Sequence, residues 1–246
     1  MATNLCAGEH AMRAVIGLDG CRAGWVACVL RDDQTATLEV VGYPADIYPP
    51  IDCDLVCVDI PIGLADRGSR ATDVAAKRVL GRWNARVFLT PCRGAVKAAT
   101  YPEANARSRE LSGKGLSKQA WNILPKVREM DAYLLEGPPL PIRECHPEIC
   151  FWGLGGEVIA ESKKSEVGQA KRLAVLSRHI PDAASILADG LERWPRKVVA
   201  ADDLIDAMVC AVTAAGVWDG SLHTLPEFPE RDERGLAMEM VYRVPR

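Results

Sequence analysis

Three aspartates at the edges of apolar runs, a glutamate and a histidine are the residues of this chain best placed for chemistry. Asp19 closes the run AVIGLD, and the turn GCRAG follows before a second apolar run opens at Trp25. Two β-rich runs joined by five residues containing glycine predict a hairpin. Gly17 and Gly20 leave the backbone beside Asp19 open to a ligand. A carboxylate there suits a metal ion or a phosphate, or it simply caps the turn. Asp59 closes a second run within DLVCVDIPIGL, residues 54–64. Its near-continuous apolar character predicts a strand buried on both faces, stopped by the proline just beyond the acid. If the two strands are adjacent and parallel, the aspartates share a sheet edge about 5 Å apart. Carboxylates that close repel unless a cation lies between them, which favours a divalent metal.

The third acid comes late, in AADDLIDAMVCAVTAAGV, residues 200–217. Alanine content and apolar spacing predict a buried helix. Asp202 and Asp203 each share a face with Asp206 at helical spacing. Acids in a first turn can merely cap the helix, which accounts well for Asp202. It accounts poorly for Asp206, one turn further in among apolar neighbours, where a carboxylate needs a partner. Glu144, in the short strand PIREC, is another acid at a strand end. His146 follows between Glu144 and Glu148, as a proton carrier, a metal ligand or a hydrogen-bonded structural residue.

The elements that must position these groups are an opening hairpin, a third strand over residues 35–42, the strand ending at Asp59, PIREC and the late helix. Between residues 61 and 139 the chain is too long for a simple crossover. We expect a helical insertion over about residues 65–139, with helical character at 70–80 and 117–135 and Pro91 and Pro125 breaking it into pieces. Residues 67–128 hold fourteen Lys and Arg against three acids, a net +11, while the whole chain carries −3. Trp83, Phe88, Tyr101 and Trp121 are interleaved. Basic residues among aromatics are the footprint of a nucleic-acid binder, unless they are the solvated face of helices whose aromatics are core. Arg22, Arg93, Lys126, Lys163 and Lys164 are the candidate phosphate contacts. Another amphipathic helix is expected over residues 166–179.

The bulk properties narrow the classes. No run of about 18 apolar residues exists, so no membrane span or membrane partner is expected. The first thirteen residues lack the apolar core of a secretion signal, and residues 1–12 read as a flexible tail before a single domain at 13–246. Nine cysteines, an odd number without Cys-x-x-Cys spacing, read as reduced thiols in a cytoplasmic protein. Residues 236–244, a short apolar run after a surface tail, could pair with a neighbouring copy in a homodimer.

Together, a strand aspartate with a glycine hairpin, a second strand aspartate and a late helix with two acids three apart resemble the RNase H-like fold. DDLIDA is similar to the terminal metal-binding helix of Holliday-junction resolvases. More closely, GLDGCRAGW, VDIPIGL, KGLSKQAW, ILPKVREMD, ECHPE, SKKSEVG and DDLIDA resemble a bacterial and archaeal family of predicted RNase H-like nucleases, domain of unknown function 429. The resemblance implies an α/β fold with a five-stranded mixed sheet, its first three strands antiparallel and helices on both faces. It implies Asp19, Asp59, Asp203 and Asp206 as metal ligands, with Glu144 replacing or supporting one of them. Two Mg²⁺ or Mn²⁺ about 3.5–4 Å apart would then drive hydrolysis of a phosphodiester. Two other readings compete: a kinase or ATPase of the related actin-like fold, and a non-catalytic regulatory domain that keeps the acids for a metal. The first usually duplicates the domain, and no second glycine hairpin of this kind is visible.

Overall fold

The computed structural model describes residues 12–47 and 53–245. The expected tail at 1–12 lies outside them apart from Met12, as does the end of the connection after Ile47. The first apolar run forms β1 (Ala14–Cys21), which turns back as β2 (Gly24–Arg31) and then β3 (Ala36–Val41). β1 runs two residues past Asp19, and the turn has two residues where five were expected, because Cys21 pairs with Gly24. β1 pairs in parallel with β4 (Cys53–Val58), and β4 pairs in parallel with β5 (Ile142–Glu144). The sheet is five-stranded and mixed, in the order β3-β2-β1-β4-β5, with its first three strands antiparallel.

Between β4 and β5 the chain inserts α1 (Ala71–Leu80), α2 (Arg93–Val96), α3 (Tyr101–Ser112) and α4 (Lys118–Leu135). Pro125 does not break α4. Leu124, Val127 and Met130 bury one face of that helix against the sheet, and this packing carries the helix through the proline. Pro91 does stand outside a helix, on the approach to α2. After β5 come α5 (Pro147–Gly155), α6 (Glu166–Leu176), α7 (Ala183–Arg193) and α8 (Ala201–Ala214).

Strand alternation assigns the two faces. Ile16, Leu18, Val56 and Val58 pack with α4 on one side, whereas Val15, Leu55 and Cys57 pack with α5 and α8 on the other. The chain ends in an antiparallel pair, β6 (Leu222–Arg231) and β7 (Ala237–Arg243). Here the run expected to pair with a neighbour is covered by its own chain. Met238, Met240 and Val241 are buried, Val241 bridges to Cys145, and Glu239 forms a two-pronged pair with Arg143. Among the described residues eight cysteines are free thiols, and no helix is long and apolar enough to cross a membrane.

Candidate metal centre

A close approach between α8 and β1 builds the centre. A side chain at Gly17 would place its Cβ 2.1 Å from the Ala207 carbonyl oxygen and 2.2 Å from the Ala211 nitrogen. Only glycine lets the helix backbone rest on the strand there. Asp19 lies two residues on, on the same face of β1, and therefore points toward the start of α8. Asp59 follows the last residue of β4, and its N–H donates to the Leu18 carbonyl at 2.9 Å, so the two aspartates are register neighbours as expected. The helix contributes Asp206. One carboxylate oxygen from each of Asp19, Asp59 and Asp206 lies within 4.8 Å of the others.

Burial and mutual repulsion shape the electrostatics. Asp19 is held well above the usual carboxylate range, first by burial and then by Asp59 and Asp206. Burial pushes Asp59 and Asp206 each up to about 6, with Lys163 pulling against it. The Lys163 ammonium donates to Asp206 Oδ2 at 2.6 Å and lies 3.6 Å from Asp202 Oδ2. Lys163 itself is pushed upward, because the facing acids outweigh its desolvation. Asp206 is fully buried, and its Oδ1 has no hydrogen-bond partner. A buried carboxylate oxygen without a donor is costly unless a cation meets it. The donor set is all oxygen, which suits a hard ion such as Mg²⁺ or Mn²⁺.

The other expected site residues are placed differently. Asp203 serves as the cap of α8: its Oδ2 accepts from the Ala200 N–H at 2.9 Å, and Asp202, expected to be the cap, leans toward Lys163 instead. Glu144 is not among the converging acids. It is in register with Val58 and so faces the insertion, where Arg70 grips both its oxygens at 2.7 Å and the Ile62 N–H donates to one of them. His146 caps α5, its Nδ1 accepting from the Glu148 N–H at 3.2 Å, and burial lowers its pKa. Its ring still lines the cleft above the aspartates.

Among the basic candidates, Arg22 and Lys164 are exposed and line that cleft. Lys126 also lines it, stacked 4.6 Å over the Trp25 ring and paired with Glu129. Arg93 does not; it is buried between Asp131 and Asp232 and ties the insertion to the terminal hairpin. Half of the fourteen insertion cations have similar structural partners. Arg86 meets Glu148 and two carbonyls, Lys77 and Arg128 meet carbonyls, and Arg107 meets Glu103. Tyr101 and Trp121 pack edge to face on each other and lie partly buried against the core. The residues that sequence reasoning missed are Arg70, Arg86 and Arg172, which pair with Glu144 or Glu148 across 24 to 74 residues of sequence.

The cleft has a volume of about 1130 Å³ and is lined by the three aspartates, His146 and Lys163 together with Phe88, Ile123 and Trp194. The sequence model of a family described as "Protein of unknown function (DUF429)" matches residues 17–231. Comparison with the curated proteins and with the solved structures gives no match.

Proposed function

Because the chain belongs to the DUF429 family of unknown function, its activity must be read from its site, and we propose a divalent-metal-dependent nuclease with an RNase H-like arrangement of acids. The single observation that carries this reading is Asp206, whose Oδ1 is buried without a donor and which offers a carboxylate oxygen within 4.8 Å of those of Asp19 and Asp59. The strand order supports it as well, since an acid near the carboxyl end of β1, one just beyond β4 and one on α8 meet where these adjacent parallel strands finish. Ligands of open α/β sheets bind at such ends.

The chain's residues divide the task. Asp19, Asp59 and Asp206 would hold the cation, and Lys163 fixes the orientation of the Asp206 carboxylate. When bound, a divalent ion supplies a Lewis acid that lowers the pKa of a water and polarises a phosphoryl oxygen. Arg22 and Lys164, exposed on the rim, meet backbone phosphates, the guanidinium as a fork and the ammonium as a point charge. His146, kept neutral by burial, offers a hydrogen-bonding ring on the cleft wall rather than a charge. The size of the cleft and its Phe88 and Trp194 linings suit one or two unstacked nucleotides in a single strand, loop or flap.

Labelled single-stranded, duplex and branched DNA and RNA, incubated with Mg²⁺ or Mn²⁺, test the proposal. Cleavage is expected from the wild type, and its loss from Asp19→Asn and Asp206→Asn proteins that retain the wild-type circular dichroism. Hydrolysis of ATP with no cleavage of any nucleic acid would overturn it in favour of the kinase or ATPase reading.

A further inference from the structure

Resting on the reading of the three aspartates as ligands, a further question is how many cations they take; the family resemblance implies two. The geometry points to one: we propose that the cluster binds a single divalent cation and that the Lys163 ammonium stands where a second would be.

Three observations converge. Three carboxylate oxygens, all within 4.8 Å of one another, are close enough to share one coordination shell with metal–oxygen bonds of about 2.0–2.6 Å. The side of Asp206 where a second ion would meet Asp202 and Asp203 is taken. Asp206 Oδ2 accepts from Lys163 at 2.6 Å, Asp202 Oδ2 lies 3.6 Å from the same ammonium, and Asp203 is engaged by the Ala200 N–H. Charge gives the third argument. A second dication beside Asp202 and Asp206 would lie next to the Lys163 ammonium, which it must repel.

Lys163 is also held in place by its surroundings. Its loop is closed by the Ser165 N–H and hydroxyl, which donate to the Ser162 carbonyl at 3.0 and 2.8 Å. Buried Arg172 donates to the Glu161 carbonyl at 3.2 Å and to Glu148 at 2.5 Å, tying the loop to the start of α5. Gly168 lets α6 approach so closely that a Cβ there would lie 2.0 Å from the Ser162 carbonyl oxygen. The serine turn, the arginine tether and the glycine approach thus all fix a loop whose inward-facing side chain is the lysine.

Mn²⁺ binding to the full chain, counted by electron paramagnetic resonance, tests this without any activity assay. One Mn²⁺ per chain is expected in the wild type and in Lys163→Arg. Two are expected in Lys163→Ala, where Asp202 and Asp206 are freed to hold the second, with the spectrum of a coupled pair. Two ions in the wild type or in Lys163→Arg overturn the proposal, as does a single ion in a folded Lys163→Ala. If Lys163→Ala does not fold, the wild type and Lys163→Arg decide the matter by the same counts. No Mn²⁺ bound to the wild type would instead remove the reading of the aspartates as ligands, a result distinct from a count of two.

Discussion

Asp59 and Glu144 stand beside each other at the ends of the parallel strands β4 and β5, yet they occupy opposite environments. Glu144 faces the insertion, where Arg70 meets it with two parallel hydrogen bonds, Asp73 shares the same guanidinium, and the Ile62 N–H completes the set. Asp59 faces α8 with two other carboxylates, and a single lysine serves the whole group, through Asp206. Burial pushes both acids upward, Glu144 to about 7 and Asp59 to about 6, so the contrast lies in their partners: Arg70 and a backbone N–H hydrogen-bond Glu144, whereas at Asp59 only the charge of Lys163 pulls the other way. The first cluster is complete with the chain's own groups and holds the insertion to the sheet. The second is incomplete without something from outside. A buried acid is therefore informative through the partners it lacks.

Breaking the complete cluster should cost most. Arg70→Met strands Glu144 and Asp73 in the interior, and urea unfolding should show a loss of about 3–5 kcal/mol. Gly17→Ala comes next, since the new methyl must push α8 away from β1. Overpacking of this kind costs about 1–3 kcal/mol, and Mn²⁺ affinity should fall with it because Asp206 moves with the helix. Asp206→Asn should have the opposite sign. Without metal it removes one of three repelling charges, and thermal unfolding should show a gain of about 1 kcal/mol together with loss of Mn²⁺ binding. If Arg70→Met and Asp206→Asn destabilise equally, the contrast between the two clusters fails.

The buried acids of both clusters, Glu144 being pushed up to about 7, should leave a pH signature in the metal-free protein, and Asp206→Asn isolates the share of the incomplete one. Asp59 and Asp206 titrate near 6 when folded, against an ordinary value of 3.8. Between these values the folded chain binds more protons than the unfolded one, so stability falls as pH rises through that window. Chemical denaturation in EDTA should therefore weaken from pH 4 to pH 6.5, and Mn²⁺ should offset the decline at the upper end. The slope should be smaller in Asp206→Asn.

Much of the sheet was legible because its signals are local. The two apolar runs ending in aspartates, the hairpin and the alanine-rich helix each announce themselves within a dozen residues, and the parallel pairing of β1 with β4 follows from burial on both faces. Asp206 was legible by the same means, as an acid misplaced for capping. Glu144 went astray although its parity was readable: it shares a face with Ile142, whereas Arg143 and Cys145 share the other. What could not be read was the register that aligns Glu144 with Val58, and so opposite Asp59 and Asp19. The pairs of Arg70 with Glu144, Arg86 with Glu148 and Arg93 with Asp232 reach across 62 to 139 residues of sequence, and no local pattern encodes them. For that reason the basic composition of the insertion overstated its surface charge. Asp203 took the capping role expected of Asp202, because capping geometry depends on the backbone entering α8, where the Ala23 N–H binds the Val198 carbonyl at 3.2 Å.

The smallest effects on stability separate the two kinds of cation. Arg22 and Lys164 are exposed at the cleft rim, so replacing both by alanine should change unfolding free energy by less than about 0.5 kcal/mol. If they meet backbone phosphates, the same double variant should weaken single-strand binding at low salt. The slope of log affinity against log salt should flatten by about 0.7 for each phosphate that is no longer neutralised. Arg93, although it belongs to the basic insertion, should behave in the reverse manner. Its guanidinium is enclosed by Asp131 and Asp232, so Arg93→Ala should unfold at markedly lower urea while the salt slope of the surviving protein stays that of the wild type. A salt slope that responds to Arg93 and ignores Arg22 and Lys164 would move the polyanion path away from the aspartates, and the cleft would lose its claim to the substrate.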